Sequence, residues 1–458
     1  MIFMSHVRLL VTVGKTPVPI EYTLSRIAGE NAGNIYVYAI LSEESQQTLY
    51  NVLAEAIRRY GDRFNVKQFI VEDPEDIEEC LRVCSEAVME LLDDVRESGV
   101  QDVSRENIVV NYTGGTKPMS AALVAVVLNR LPHANLVYIG GKRDERGIVV
   151  SGLEKVVQEN VLPISALFKA KEHYENFNIN YAYILIKEAA ERYGSQYYMA
   201  LSGFLESLAL RDIYDFKEAC NVLNRFKRPF KLYTDRVIFP EDVVKFFTKA
   251  SESVDLVNSI YYSLKQLRRL KEARNSEQSK SIIKPFSRNR GLVRGLEYLI
   301  AEVLLNIERR ILTGELLIAC VSTYRLYELL TQYRLIVKYG LSPTYVDWSE
   351  IPSDFIREYN IDTSEVKHLN LQTSFNLLNY YGDELVDALD SDLLRKLQFE
   401  RNNSLIEHGF SEVDREVVEN AIKDINGACR RVISGFDIML DKLKFPKLTD
   451  EVLFCVRA

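Results

Sequence analysis

The chain has 458 residues, 47% of them hydrophobic, and its 57 Lys and Arg against 65 Asp and Glu give a net charge of -8. That length exceeds what one hydrophobic core organises and implies roughly two or three domains. The acidic balance excludes a general nucleic-acid coat protein, so any contact with RNA has to be local. The cysteines Cys80, Cys84, Cys220, Cys320, Cys429 and Cys455 are scattered and form no zinc pattern. They read as reduced, mostly buried thiols of a cytoplasmic protein with no metal site. The N-terminus starts a strand, not a signal peptide, and no apolar run approaches the roughly 18 residues of a membrane helix.

Strands and helices alternate through the first 160 residues. The short aliphatic and β-branched runs Val7–Val13, Ile35–Leu41, Val66–Val71, Ile108–Asn111 and Asn135–Ile139 read as buried strands. Between them the helical segments are Ile20–Ala28, Gln47–Tyr60, Pro74–Glu97 and Lys117–Arg130. This alternation specifies a doubly wound, mostly parallel sheet, closed by a hairpin that turns through Gly140–Gly147 into Ile148–Val150.

In such sheets ligands bind beyond the carboxyl ends of the strands, where the strand order reverses. Two loops are composed for that place. The first, Gly14-Lys15-Thr16-Pro17, follows the first strand; the second runs Asn111-Tyr112-Thr113-Gly114-Gly115-Thr116-Lys117-Pro118-Met119-Ser120. Adjacent glycines let the second turn sharply, and the helix that follows directs free N–H groups at an arriving anion, with hydroxyls and a cation around it. Lys117 precedes Pro118 where a Walker A loop needs Ser or Thr, and one Gly14 after the first strand is no dinucleotide fingerprint. ATP hydrolysis and nicotinamide chemistry are set aside on those grounds.

From about residue 162 onward strand signals nearly stop. Amphipathic helices are expected over Ala166–Tyr193, Ser195–Leu210, Glu218–Arg225, with a break at Lys227-Arg228-Pro229, and Glu241–Leu270. The tract Lys265–Arg294 is rich in Lys and Arg. It reads as a solvated helix face or a path for RNA phosphates. Further helices are expected over Leu292–Leu312, Glu315–Tyr339, Thr373–Asn379, Asp383–Leu397 and Val413–Leu443, packed as an up-and-down bundle. Tyr324, Tyr327 and Tyr333 belong to an aromatic and aliphatic surface expected in the core or at a dimer seam.

One polar cluster stands apart. Arg401 and His408 lie seven residues apart in a chain with five His, so in one continuous helix they would share a face. A guanidinium beside a titratable base is the equipment of metal-free RNA cleavage, in which the base takes the ribose 2'-hydroxyl proton and the cation steadies the charge on phosphorus. A second copy facing the first would supply the acid. The competing reading is a solvated surface, against which stand the poor helix formers Asn402 and Asn403 and the stop at Gly409.

Taken together, the two loops, the stretch Arg401–Gly409 and the weaker Tyr324-Arg325-Leu326-Tyr327-Glu328 resemble the ancillary ribonucleases of type III CRISPR systems. These join a CARF domain, which senses cyclic oligoadenylate, to a HEPN ribonuclease domain. Asn402 fills the polar place after the arginine of the HEPN motif, and six residues separate Arg401 from His408, the long end of that motif's spacing. The resemblance implies an α/β, Rossmann-like CARF domain over residues 1–160, a helical middle over 161–290 and a HEPN bundle over 291–458. It implies a homodimer acting on single-stranded RNA without metal, leaving 2',3'-cyclic phosphate, with Arg401, Asn402 and His408 catalytic. Gly14, Lys15, Thr16, Asn111, Thr113, Gly114, Gly115, Thr116 and Lys117 would hold the activator, with cyclic tetra-adenylate favoured by analogy. Slow cleavage of the ring by the CARF domain is a further implication, for which no base is evident beside Thr16 or Lys117. The alternative is a sensor whose helical part only dimerises or recruits another protein.

Overall fold

The structure is a computed structural model that describes residues 6–99, 106–131, 134–143, 149–156, 164–405 and 409–455. It divides into two compact units, Met1–Ala166 and Leu167–Ala458.

In the first unit the strands are β1 (Val7–Val13), β2 (Ile35–Leu41), β3 (Phe64–Ile70), β4 (Asn107–Asn111), β5 (Asn135–Arg143) and β6 (Val149–Val156). They form one sheet in the order β3-β2-β1-β4-β5-β6, parallel throughout except for β6, which runs antiparallel to β5. The helices are α1 (Val18–Glu30), α2 (Gln46–Tyr60), α3 (Ile77–Glu97) and α4 (Lys117–Arg130). Every residue of β1 is buried, as a central parallel strand covered on both faces requires. Leu10, Ile108 and Val110 pack with Val83, Val88 and Leu91 of α3 and Met119 and Leu123 of α4. On the opposite face Leu9, Val11 and Val13 meet Ile20, Leu24 and Ile27 of α1 and Leu49 of α2. The predicted start of α3 at Pro74 moves to Ile77, because the Asp76 side chain accepts a 2.9 Å bond from the Glu78 N–H and caps the helix. The closing hairpin is longer than expected, pairing Val137 with Val156 at one end and Arg143 with Val149 at the other; its turn lies outside the described residues.

The second unit is helical: α5 (Ile164–Glu175), α6 (Ile179–Tyr193), α7 (Gln196–Asp212), α8 (Phe216–Leu232), α9 (Glu241–Arg268), α10 (Ser276–Arg288), α11 (Arg290–Leu312) and α12 (Leu316–Tyr339). Shorter pieces follow, α13 (Ser353–Glu358), α14 (Leu371–Tyr380), α15 (Glu384–Ala388), α16 (Ser391–Asn403), α17 (Arg415–Val432), α18 (Phe436–Leu443) and α19 (Asp450–Leu453). Helices α6 to α9 pack each against the next, and α12 sits among α11, α14, α16 and α17.

Several expected helices are broken differently. The single helix over 166–193 splits at Asn176-Phe177-Asn178, where Phe177 takes a φ of 57° and the Asn178 N–H closes the end of α5 on the His173 carbonyl at 2.7 Å. Conversely α8 runs through Pro229 to Leu232; the fully buried Phe230 holds the last turn in place although the proline removes a backbone donor. The final long helix becomes α17 and α18, divided where Gly435 turns left-handed at φ 72°. The basic tract is spread over α9, α10 and α11, and several of its cations are paired. Lys280 meets Asp347 at 3.2 Å and Glu350 at 2.5 Å, Lys284 meets Glu350 at 3.4 Å, and Arg294 meets Glu297 at 3.0 Å.

Candidate functional sites

The sheet order reverses between β1 and β4, which lie side by side, and the two glycine-bearing loops are the ones that leave these strands. They touch through their glycines. A Cβ on Gly14 would stand 2.7 Å from the Gly115 backbone nitrogen, one on Gly114 would collide with the Thr12 carbonyl, and Gly115 has a φ of +77°. Glycine at 14 and 114 is therefore a matter of backbone against backbone, and at 115 of the left-handed φ.

Much of the polar chemistry expected to face a ligand is used inside the loops. Asn111 is fully buried, donates at 2.8 Å to the Thr23 hydroxyl and accepts at 2.9 Å from the Thr113 N–H, tying the end of β4 to α1. The Thr113 hydroxyl accepts from the Ile139 N–H at 2.8 Å, and the Thr116 hydroxyl donates to the Pro74 carbonyl while capping α4. The Ser120 hydroxyl donates to the Gly114 carbonyl at 3.0 Å. Asn111, Thr113 and Thr116 thus set the shape of the site. Lys15, Gly115 and Lys117 are exposed, and Gly14 and Thr16 half-buried. Lys15 pairs with Glu44 at 2.6 Å, which holds the Glu44 carboxyl below the usual carboxylate range by hydrogen bonding and charge. Its carbonyl also accepts from the Thr48 hydroxyl at 3.4 Å. With backbone N–H groups opening α4 and two lysines at the rim, this end of the sheet can receive an anionic, phosphate-bearing ligand.

The second site is at the end of α16. The expected continuous helix from Arg401 to His408 is not formed: α16 stops at Asn403 and Ser404 turns extended, with a φ of -76° and ψ of 159°. The cause is local competition for backbone groups. The Asn403 amide donates to the Phe399 carbonyl at 2.9 Å, and the Ser404 hydroxyl donates to the Arg401 carbonyl at 2.7 Å. The chain returns at once. The Gly409 N–H reaches the Ser404 carbonyl at 3.1 Å, the Ser411 N–H reaches the Asn403 carbonyl at 2.9 Å, and a Cβ on Gly409 would run into the Asn403 backbone. Glu400 fastens the far side by accepting from the Asp414 N–H at 3.0 Å. His408 lies outside the described residues.

Arg401 occupies the last turn of α16, where a cation suits the negative end of the helix. Its guanidinium sits 4.6 Å from the centre of the Tyr324 ring on α12, and one nitrogen comes within 3.5 Å of the Asn402 side-chain oxygen. Stacking on the ring limits the freedom of the guanidinium, whose planar fork matches carboxylate and phosphate geometry. Burial pushes the Tyr324 phenol up, with Glu328 adding and Arg401 opposing. Nearby, burial with Glu400 pushes the Cys320 thiol up to about 12, against Arg401. That thiol is therefore inert. From the sequence Tyr324 is expected in the core or at a dimer seam; nothing in the sequence signals its part as the platform under Arg401.

Among the described residues no group of three or more His, Cys, Asp or Glu is arranged to hold a metal, and no helix is long and apolar enough to cross a membrane. Five of the cysteines are buried and Cys455 is partly so.

Comparison with known proteins gives a family match for the second unit. No curated protein matches the chain. Among solved structures, Csm6 of Enterococcus italicus bound to cyclic hexa-2'-fluoro-hexa-dAMP is similar over 98% of this chain and 96% of that one, at 11% identity and a TM-score of 0.49. Residues 289–432, which run from the start of α11 through α17 and include Arg401, match the family model of the Csm6 HEPN domain. Within the helical unit, residues 289–432 are thus similar to a HEPN domain of the Csm6 kind.

Proposed function

We propose that the chain is an endoribonuclease of type III CRISPR defence, switched on by cyclic oligoadenylate and cutting single-stranded RNA without a metal. The observation that carries this is the family match over residues 289–432, inside which Arg401 stands at a helix end with its guanidinium held on Tyr324. HEPN chemistry at this place needs a base, and His408 supplies it. His408 takes the proton of the ribose 2'-hydroxyl, the 2'-oxygen attacks phosphorus, and the P–O5' bond breaks, leaving a 2',3'-cyclic phosphate. Arg401 stabilises the charge that gathers on the phosphoryl oxygens. A homodimer brings His408 of a second copy to protonate the departing 5'-oxygen.

The activator half of the proposal rests on the two loops at the β1/β4 switch point. A ring of AMP units presents phosphates to the N-terminal end of α4 and to Lys15 and Lys117, while Asn111, Thr113 and Thr116 keep the loops in shape. Tetra-adenylate is the proposed ring. Its binding favours the dimer arrangement in which two Arg401/His408 sets form one cleft.

The experiment is cleavage of an end-labelled single-stranded RNA in EDTA with no activator or with cyclic tri-, tetra- or hexa-adenylate, followed by analysis of product ends. Activity with one ring and cyclic phosphate ends are expected. Arg401→Lys keeps the charge but loses the planar fork, and a fall of roughly a hundredfold is expected from the cost of removing one oriented donor. Binding of a ring without cleavage by the natural protein would replace this reading with that of a sensor that only recruits or dimerises.

A further inference from the structure

Along α16 from Ser391 to Gln398, which is one turn before Arg401, the helical unit holds a cavity of about 360 Å³ between α12, α14 and α16. Tyr324, Glu328, Phe375, Asn376, Asn379 and Gln398 line it. Tyr324 is also the ring beneath the Arg401 guanidinium. One side chain is thus shared by the cavity and the candidate catalytic group.

The lining is unusual in its amides. Each Asn or Gln offers a donor pair and an acceptor on one small plane, the pattern that matches the edge of a nucleobase. Asn379 and Gln398 are exposed, which leaves their amides accessible from solvent. Asn376 has its oxygen occupied by the Gln372 amide at 2.8 Å, which leaves its NH₂ to donate. Phe375 is half-buried among them and offers a face for stacking. Glu328 pairs with Arg325 at 2.7 Å through one oxygen, leaving the other as a pure acceptor. A carboxylate accepts from an exocyclic amine and repels a ring carbonyl.

We propose that this cavity takes one unstacked base of the RNA strand beside the scissile phosphate, with its ring against Phe375 and its edge on Asn379, Gln398 and Glu328. The proposal rests on the ribonuclease reading above and adds base selectivity to it. Adenine and cytosine, which carry an exocyclic amine, enter; uracil, which presents two carbonyls, is disfavoured. The volume suits such an occupant, lying at the small end of the roughly 300–1,000 Å³ of small-molecule sites.

The test is binding of fluorescein-labelled oligo(A), oligo(C) and oligo(U) to His408→Ala protein by anisotropy, with Asn379→Ala, Gln398→Ala and Glu328→Gln each added. Oligo(A) and oligo(C) should bind roughly tenfold more tightly than oligo(U). Glu328→Gln, whose amide can donate to a carbonyl, should raise oligo(U) binding and narrow that gap. The two alanine variants should weaken oligo(A) and leave oligo(U) little changed. Melting curves guard against misfolding, and Gln398→Glu, which keeps size and removes the donor, serves should an alanine variant melt early. Equal binding of all three oligonucleotides, or a gap that no variant alters, overturns the proposal. Cleavage of the same oligonucleotides by ring-treated natural protein is run alongside: its absence sinks the ribonuclease reading, whereas base-selective binding is read independently of it.

Discussion

Gly14→Ala is the perturbation that most cleanly separates the shape of the two loops from the stability of the sheet beneath them. The new Cβ would stand 2.7 Å from the Gly115 nitrogen and 3.3 Å from its Cα, whereas ordinary contacts begin at 3.4 Å. The loops must therefore part by roughly 0.7 Å, and both contacting atoms are backbone that cannot rotate away. Overpacking of this size costs about 1–3 kcal/mol, offset by about 0.4–1 kcal/mol from the stiffer unfolded chain. A net loss of about 1–2 kcal/mol leaves the domain folded. Ring binding should suffer more than the fold, because parting the loops displaces at once the groups that meet the ligand; a loss of at least tenfold in affinity is expected. Gly29→Ala is the control, since nothing lies within 4 Å of that Cβ and its backbone is helical. The assay is calorimetric titration with cyclic tetra-adenylate alongside thermal melting. Natural affinity in Gly14→Ala, with the melt lowered as calculated, would refute the placement of the ring at these loops.

Two further outcomes test the helical unit. Gly409→Ala drives a Cβ into the Asn403 backbone, so it should cut RNA cleavage at least tenfold while ring binding stays at the natural level; cleavage and titration on one preparation check this. Asp383 is fully buried among Arg334 at 2.9 and 3.0 Å, Lys338 at 2.8 Å, the Tyr339 hydroxyl at 2.8 Å and the Leu385 N–H at 3.0 Å. Burial pushes its carboxyl up, but these bonds prevail and hold it at about 2. A depressed folded value means the stabilisation is full above the unfolded value near 3.9 and disappears as pH falls through about 2. Asp383→Asn should cost about 1–3 kcal/mol at neutral pH, because Arg334 loses its paired bonds to Asp383 but keeps Glu384 at 2.9 Å and Lys338 remains partly exposed. Denaturant melts across the acid range should show the gap between the two proteins shrinking below pH 4, and a pH-independent gap would contradict the assignment.

The first unit was legible because its elements announce themselves in hydrophobic runs of the right length. Val7–Val13 and Ile35–Leu41 coincide with β1 and β2 to the residue, and the glycines of both loops fell where the strand order reverses. What sequence could not show was direction of the polar groups: Asn111 and Thr116 have the composition of a ligand loop, yet their bonds run inward to Thr23 and Pro74. In the helical unit, periodicity found the long helices and failed at their ends, because a cap such as Gly435 or a turn such as Phe177 is a single-residue event inside an amphipathic pattern. Residues 340–369 carry no helical or strand period in the sequence. They are organised by tertiary bonds, such as the Ser279 hydroxyl to the Thr344 carbonyl at 2.6 Å and the bridge between Thr344 and His368, which leave no period to read. The Arg401 motif was legible as residue types, while the end of its helix at Asn403 was decided by side chains competing for carbonyls.

On the proposed reading, a ring received at the Gly14 and Gly114 loops turns on cleavage by the site that contains Arg401. The most direct test is the rate of single-stranded RNA cleavage in EDTA, with and without cyclic tetra-adenylate, for the natural protein, Gly14→Ala, Arg401→Ala and His408→Ala together. Expected are ring-dependent cutting by the natural protein, cutting by Gly14→Ala only at higher ring concentrations, and none by the other two although both still bind the ring. Undiminished cleavage by Arg401→Ala and His408→Ala would contradict that reading.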